Sequence, residues 1–433
     1  MTIQIPAAGR RGMASQAGMN FQEISELEKR VLVPTYDRLP ILAVGGEGCY
    51  LYDEAGKKYL DFLAGLAVNS LGYAHPEIMA VLRDERETLL HVSNLLYHRY
   101  QAPLAAELAR LTGLDRAFFA NSGTEAVEGA LKLARAYARK RHPGEPFERY
   151  EILAVENSFH GRTFGALAAT WPSKYRQPFE PLVPGVRFVR QNDVAHLVES
   201  FGPRTAAVIV EVIQGEGGVV ELREDFLKAA QELSRANDSL LVADEIQCGL
   251  GRTGRWFAFQ KFGISPDVVL VAKPLAAGLP LAAIVAREAV AQAFSPGMHG
   301  TTFGGGPLQC RLALKVLEIL GRPGFLARVS EVGGYLRRRL EELKQEFPVI
   351  RTVRGEGLMV AAELGAPCKA VVRQALEAGV LLNCTQEKVL RFLPPLVVER
   401  QHVEELLRVL KPILAALSAP PAEASAEKKE VPA

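Results

Sequence analysis

The chain has little cysteine. Five residues in 433 (Cys49, Cys248, Cys310, Cys368 and Cys384) are odd in number and widely separated, and no two stand at C-x-x-C spacing. That pattern indicates neither a disulfide framework nor a thiolate metal site, so no metal is expected, and it fits a reducing, cytoplasmic setting. An excess of charge of one sign is also missing. With 51 Lys+Arg against 49 Asp+Glu the formal charge is +2. No whole-chain field therefore favours nucleic acid or an anionic membrane. The third absence is an uninterrupted hydrophobic run. Residues 268–286 (VVLVAKPLAAGLPLAAIVA) come nearest, but two prolines, a glycine and a lysine near the middle break the stretch. A membrane span is expensive with a charge at mid-depth. Two short buried strands joined by a Pro/Gly loop account for it better, because strands covered on both faces read as continuous apolar runs. Lys273 then needs a reason of its own.

What is present suits a large globular protein. At 433 residues and 48% hydrophobic composition, the chain can bury a sizeable core spread over two or three domains. Residues 1–20 contain Arg10, Arg11 and small residues, with no acid and no apolar core for a secretory signal. They are expected to form a flexible N-terminus rather than a mitochondrial transit peptide. Residues 418–433, rich in Ala, Pro, Glu, Ser and Lys without an aromatic, are expected to form a disordered tail. Between these ends, apolar strand patterns at 116–120, 151–155, 186–189, 206–211, 240–244 and 268–272 alternate with helical patterns, clearest at 125–141 and 223–237. This alternation predicts an α/β fold with a mostly parallel sheet flanked by helices, spanning residues 76–311. A helix at 307–320 leads out of it. Residues 312–417 then read as a smaller α+β unit: a charged helix to about 347, short strands at 349–354, 358–363, 380–383 and 389–392, and a last helix at 400–417. Residues 21–75, with a strand–turn–strand pattern at 40–62, are expected to join that smaller unit.

Four polar clusters fall at the C-terminal ends of predicted parallel strands, where open α/β sheets bind ligands. Asn121-Ser122-Gly123-Thr124-Glu125 opens a helix, and helix N-termini hold anions such as phosphate; simple capping explains the same residues. Phe159-His160-Gly161-Arg162-Thr163 offers a ring for stacking and a guanidinium for a carboxylate; a turn with a packed Phe is the plain alternative. Asp244 ends the strand SLLVAD, where an acid would hold a protonated ring nitrogen or merely cap a loop. Lys273 ends the strand VVLVA. Burial lowers a lysine's pKa, and a neutral amine attacks carbonyls; snorkelling to the surface is the alternative. The literal G-x-G-x-x-G at 249–254 is rejected as a dinucleotide site, because Asp267 precedes the next strand instead of ending it. Together, an anion cradle, a stacking aromatic, a carboxylate and a Schiff-base lysine are what pyridoxal 5′-phosphate requires.

At this point the sequence resembles the class III (subgroup II) aminotransferases, a branch of the fold-type I pyridoxal-phosphate enzymes. The likeness runs over about residues 30–415. It rests on NSGTEA (121–126), FHGRT (159–163), VEVIQGEGG (210–218), ADEIQCGLGRTG (243–254), the Lys273 segment, HGTTFGG (299–305) and LRFLPPL (390–396). DFLAGLAVNSLGYAHP (61–76) and LLNCTQEKVLRFLPPL (381–396) are most similar to acetylornithine aminotransferases. The resemblance implies a seven-stranded, mostly parallel sheet and a homodimer. It casts Lys273, Asp244 and Glu211 as catalytic. Lys273 would anchor pyridoxal phosphate, Asp244 would keep its ring nitrogen protonated, Gln247 would contact its phenolic oxygen and Phe159 would stack on its ring. Ser122, Gly123, Thr124 and His160 would complete the cofactor site, and Thr302 would reach the phosphate of the neighbouring subunit. Arg162 would take the substrate's distal carboxylate, Arg391 the α-carboxylate of 2-oxoglutarate, and Tyr36 would also touch substrate. Glu216 would pair with Arg391 whenever the bound amino donor brings no carboxylate there.

Departures from the family pattern are few. Pro274 and Ala276-Ala277 replace a small, Gly-rich run after the lysine, Val212 stands where proline is usual, and Gly306 where asparagine is common. Leu66 occupies the place of a tyrosine that reads the free α-amine in ornithine aminotransferases. The expected reaction is therefore transfer of the terminal amino group of N-acetylornithine to 2-oxoglutarate. Succinylornithine, γ-aminobutyrate, ornithine and a carrier-bound lysine are alternative donors, and a non-catalytic pyridoxal-phosphate-binding protein is a remote one. A paired Glu216 and Arg391 argue against an aminomutase, which needs no 2-oxoglutarate pocket.

Overall fold

The computed structural model describes residues 18–84, 89–144 and 149–418. Its strands, in chain order, are β1 (Ala43–Glu47), β2 (Tyr50–Asp53), β3 (Lys58–Asp61), β4 (Arg116–Ala120), β5 (Glu151–Val155), β6 (Val186–Val189), β7 (Thr205–Val210), β8 (Ile213–Gln214), β9 (Val220–Glu221), β10 (Leu240–Asp244), β11 (Val268–Val271) and β12 (Ala282–Ala286). They continue with β13 (Ile350–Glu356), β14 (Met359–Leu364), β15 (Val380–Leu381), β16 (Asn383–Thr385) and β17 (Val389–Phe392). The large sheet has seven strands in the order β4-β12-β11-β10-β7-β5-β6. Six are parallel, and β12 runs antiparallel to both β11 and β4. The C-terminal ends of β4, β5, β7, β10 and β11 consequently open on one edge.

Both faces of this sheet are covered, which explains its unbroken apolar runs. Val208, Val210, Leu241, Ala243, Val269 and Val271 pack into one core, while Ala207, Ile209, Leu240, Val242, Val268 and Leu270 pack into another. The alternation follows from side chains pointing to opposite faces along a strand. The stretch 268–286 is thus β11, a loop and β12, and no helix among the described residues is long and apolar enough to cross a membrane. Helix Gly123–Arg141 lies on the second face. Its Gly129 has no room for a side chain, since a Cβ there would stand 2.2 Å from Ile284 Cδ1.

Besides the two-stranded pair β8–β9, two four-stranded sheets lie outside the large one. Strands β1, β2 and β3 form a meander whose last strand pairs in parallel with β15. The other has the order β13-β14-β17-β16. The strand expected at 380–383 is in fact two. β15 serves one sheet and β16 the other, with buried Leu382 between them. Period-two reading sees one apolar run where the backbone changes partners.

Three further expectations need correction. Asn20 falls in the segment expected to be flexible, yet it caps helix Phe21–Val31 in a capping box with Glu23; residues 1–17 lie outside the described residues. The last helix reaches Ser418, and the rest of the expected tail, 419–433, lies outside them too. Cysteine spacing indicated no disulfide, but Cys368 and Cys384 are bridged, with Cα atoms 5.8 Å apart. Cys368 stands at the start of helix Lys369–Glu377 and Cys384 on β16, sixteen residues on. Folding, not chain spacing, brings them together. Cys49, Cys248 and Cys310 are free and buried.

Candidate active site

A cavity of about 420 Å³ sits at the edge where the parallel strands end. Ser122, Gly123, Thr124, Phe159, His160, Arg162, Glu211, Glu216, Asp244, Gln247 and Lys273 all line it. Most of these segments converge there because they follow strands of the large sheet; Glu216 follows β8 instead.

The first wall is the turn from β4 into helix Gly123–Arg141. Ser122 is the N-cap, and its hydroxyl accepts from Glu125 N. Among the described residues nothing accepts from the Gly123 or Thr124 N–H, as expected for the first turn of a helix. Thr124 Oγ1 accepts from Arg162 N and Thr163 N, each at 3.2 Å, and so ties the second turn to the first. Gly161 makes that approach possible. Its φ is +136°, and a Cβ there would lie 2.3 Å from Thr124 Oγ1.

Beneath the cavity is a buried acid–imidazole pair. His160 Nδ1 lies 2.7 Å from Asp244 Oδ2, and Asp244 Oδ1 accepts from Ile246 N at 3.1 Å. His160 Nε2 is buried with no hydrogen-bond partner among the described residues. Glu211 follows β7; one carboxylate oxygen accepts from Phe159 N at 2.7 Å and the other from Gly215 N at 3.1 Å. It therefore braces both adjoining turns. Burial pushes its carboxyl upward, His160 pulls the other way, and Asp244 adds to the rise.

Lys273 follows β11 and faces the cavity from a half-buried position. No described residue hydrogen-bonds or ion-pairs with its ammonium. Removal from water lowers its pKa; the carboxylates of Asp244 and Glu216 oppose that shift and Arg391 adds to it. The unusual loop that follows stays folded as a turn, with Leu275 N donating to Ala272 O at 2.7 Å. Ala277 adopts a φ of +50°, a conformation glycine takes freely and alanine at a cost of roughly 1 kcal/mol.

The opposite wall is a carboxylate clamp. Arg391, on β17, is almost fully buried, and its Nη1 is 2.7 Å from Glu216 Oε1. Burial alone would raise the Glu216 carboxyl, but Arg391 holds it below the ordinary range. Gln247 Oε1 accepts from the same Nη1 at 3.2 Å, so this side chain is engaged with the clamp. Two residues were missed by sequence reasoning. Asn383 Oδ1 accepts from Arg391 Nε and Nη2, and the hairpin register of β16 on β17 was the available signal. Tyr175 lies under Arg162, whose guanidinium carbon is 3.9 Å from the ring centre, and packs edge-on against Phe159. Two expected contacts stay outside the cavity in the single chain. Tyr36 is 79% exposed, and Thr302 is an exposed neighbour of Phe303.

These residues fit pyridoxal 5′-phosphate. Free helix N–H groups suit its phosphate, a carboxylate buttressed by an imidazole suits its ring nitrogen, and an unpaired lysine suits its aldehyde. Among the described residues nothing occupies the Gly123 and Thr124 N–H groups or the Lys273 ammonium, while Asp244 keeps its bonds to His160 and Ile246 N.

Comparison with known proteins agrees. Residues 32–414 match the model of the family described as aminotransferase class-III. The acetylornithine aminotransferase of Aquifex aeolicus is 48% identical over 384 residues, covering 88% of this chain and 99% of that protein. An acetylornithine aminotransferase structure from Elizabethkingia anophelis superposes with a TM-score of 0.81 at 30% identity, over 92% of this chain and 100% of that one. An ornithine aminotransferase structure from Toxoplasma gondii, reported with partial occupancy of pyridoxal phosphate at its active site, superposes at 0.87 and 33% identity, over 92% and 94%.

Proposed function

Because the chain belongs to the class III aminotransferases, we propose that it moves the terminal amino group of N-acetylornithine to 2-oxoglutarate by a ping-pong route. It is a transaminase dependent on pyridoxal phosphate. The observation that carries the substrate reading is the Glu216–Arg391 pair inside the Lys273 cavity. A donor reacting through its side-chain amine brings no carboxylate to Arg391, so Glu216 covers it. The acceptor 2-oxoglutarate brings an α-carboxylate there, and Glu216, which is 29% exposed, swings away. One pocket then serves both halves of the reaction.

Gly123 and Thr124 N–H groups and Ser122 would hold the cofactor's phosphate, and Asp244, kept in place by His160, its ring nitrogen. When bound, the cofactor supplies an electron sink for the carbon being deprotonated. Lys273 Nζ takes the proton from the amine-bearing carbon of the donor, a task its lowered pKa favours. Arg162 grips the distal carboxylate, with Tyr175 holding the guanidinium in place. Glu211 positions the turns that carry Phe159 and Gly215. Leu66 stands where the family's ornithine-specific members carry a tyrosine for the free α-amine, and its lack of a polar group suits an acylated amine better than free ornithine.

The working unit in this reading is a cytoplasmic homodimer. Leu90, Leu95, Leu96, Tyr97 and Phe303 are exposed apolar residues of the kind a partner covers, and Thr302 sits among them, ready to serve the neighbouring site. The reading is tested by half-reactions. N-acetylornithine alone should remove the holoenzyme's yellow colour and 2-oxoglutarate should restore it. No change with any terminal amine would overturn the assignment.

A further inference from the structure

Arg391 is flanked unequally. In the sheet it stands opposite Asn383 of β16 on one side and Ala361 of β14 on the other. Directly opposed residues in an antiparallel pair project to the same face. Alanine leaves the guanidinium free on its side. Asn383 does not: its Oδ1 takes Nε at 3.0 Å and Nη2 at 2.6 Å. The guanidinium has only donors, so the amide oxygen must face it. The lateral fork of Arg391 is thus closed by a single neutral oxygen, while Nη1 points to Glu216 and Gln247.

The neutrality matters. A carboxylate placed at 383 would form a permanent two-pronged ion pair and cancel the charge of Arg391. Neither Glu216 nor an incoming carboxylate would then gain much there. An aliphatic side chain would leave two buried donors unsatisfied and let the guanidinium turn. An amide alone orients the group and leaves its full charge for an exchangeable partner. Asn383 is held in turn from behind. The next residue is bridged to Cys368, and Thr385 Oγ1 and Gln386 Nε2 both donate to Glu216 O, at 2.7 and 2.8 Å. One short strand therefore registers both members of the clamp.

We propose that Asn383 is a positioning residue that sets specificity for the acceptor: it aims Arg391 without neutralising it, so that Glu216 and the α-carboxylate of a 2-oxo dicarboxylate can exchange there. This rests on the substrate reading above. The test uses the holoenzyme with Asn383→Asp, nearly identical in shape, and Asn383→Ala. Both half-reactions are followed separately, and binding of unreactive glutarate is measured by calorimetry. Asn383→Asp should raise the KM for 2-oxoglutarate and weaken glutarate roughly tenfold or more, the scale of a hydrogen bond to a charged group. It should slow the N-acetylornithine half far less. Asn383→Ala should shift the same ratio in the same direction by a smaller factor. Unchanged KM and glutarate binding in Asn383→Asp, with wild type active on 2-oxoglutarate, would overturn the proposal alone. So would equal losses in both halves, the mark of a purely structural strand residue. A wild type that never aminates 2-oxoglutarate would overturn the substrate reading and this proposal with it.

Discussion

Replacing Glu216 by Gln tests the exchange at the clamp. In the folded chain Glu216 Oε1 is 2.7 Å from Arg391 Nη1, and the arginine is 1% exposed. Two unit charges about 4 Å apart at a surface-like dielectric attract by roughly 4 kcal/mol, before desolvation is subtracted. Net values for a hydrogen bond to a charged group are about 1.5–3 kcal/mol, or roughly tenfold to a hundredfold in an equilibrium. Glutamine keeps a neutral acceptor, and Glu216 is 29% exposed, so the lower end applies. An incoming α-carboxylate would no longer have to displace a charged competitor. The KM for 2-oxoglutarate should fall about tenfold, and glutamate should improve as a donor by a similar factor. N-acetylornithine should become the poorer donor, because the uncovered arginine attracts its carboxylate to the wrong end. Stopped-flow absorbance of each half-reaction reads these changes separately. An unchanged preference between N-acetylornithine and glutamate would refute the masking argument.

Three other outcomes follow from the structure. In the apoprotein, Lys273 has a lowered pKa and so keeps a larger neutral fraction at about pH 8 than ordinary lysines, which titrate near 10.4. An amine-acylating reagent should label it first in peptide maps, with the selectivity fading as pH rises; even labelling of all lysines would contradict the assignment. Gly333→Ala should lower the melting temperature by the equivalent of about 1–3 kcal/mol, because its Cβ would stand 1.9 Å from the Gly357 carbonyl oxygen and backbone cannot step aside cheaply. A wild-type melt in the variant would refute that packing. The denatured, unreduced protein should offer three thiols and the reduced one five, and reduction should cost about 3 kcal/mol of stability for a loop of sixteen residues. Five thiols without reductant would disprove the Cys368–Cys384 bridge.

Much of the fold was legible because sheet strands buried on both faces leave a plain mark. The run at 268–286 announced β11 and β12, and the polar residues interrupting such runs announced the cavity. Asp244 and Lys273 stand out in sequence for one reason: each ends an apolar strand that gives no other cause for a charge. Side chains that act through partners were harder to see. Asn383 looks like any polar strand residue until the β16–β17 register sets it against Arg391. Tyr175 belongs to a short helical turn with no apolar period and becomes visible only under Arg162. The disulfide was missed because a sequence separation of 16 carries no sign that Cys368 and Cys384 meet. Tyr36 and Thr302 mark the opposite case. The family pattern places them at a site to which the single chain does not bring them.

The choice of donor is decided by a panel of amines assayed with 2-oxoglutarate. N-acetylornithine should yield glutamate and its semialdehyde with the highest kcat/KM, above free ornithine and γ-aminobutyrate. Turnover of γ-aminobutyrate without turnover of N-acetylornithine would contradict it.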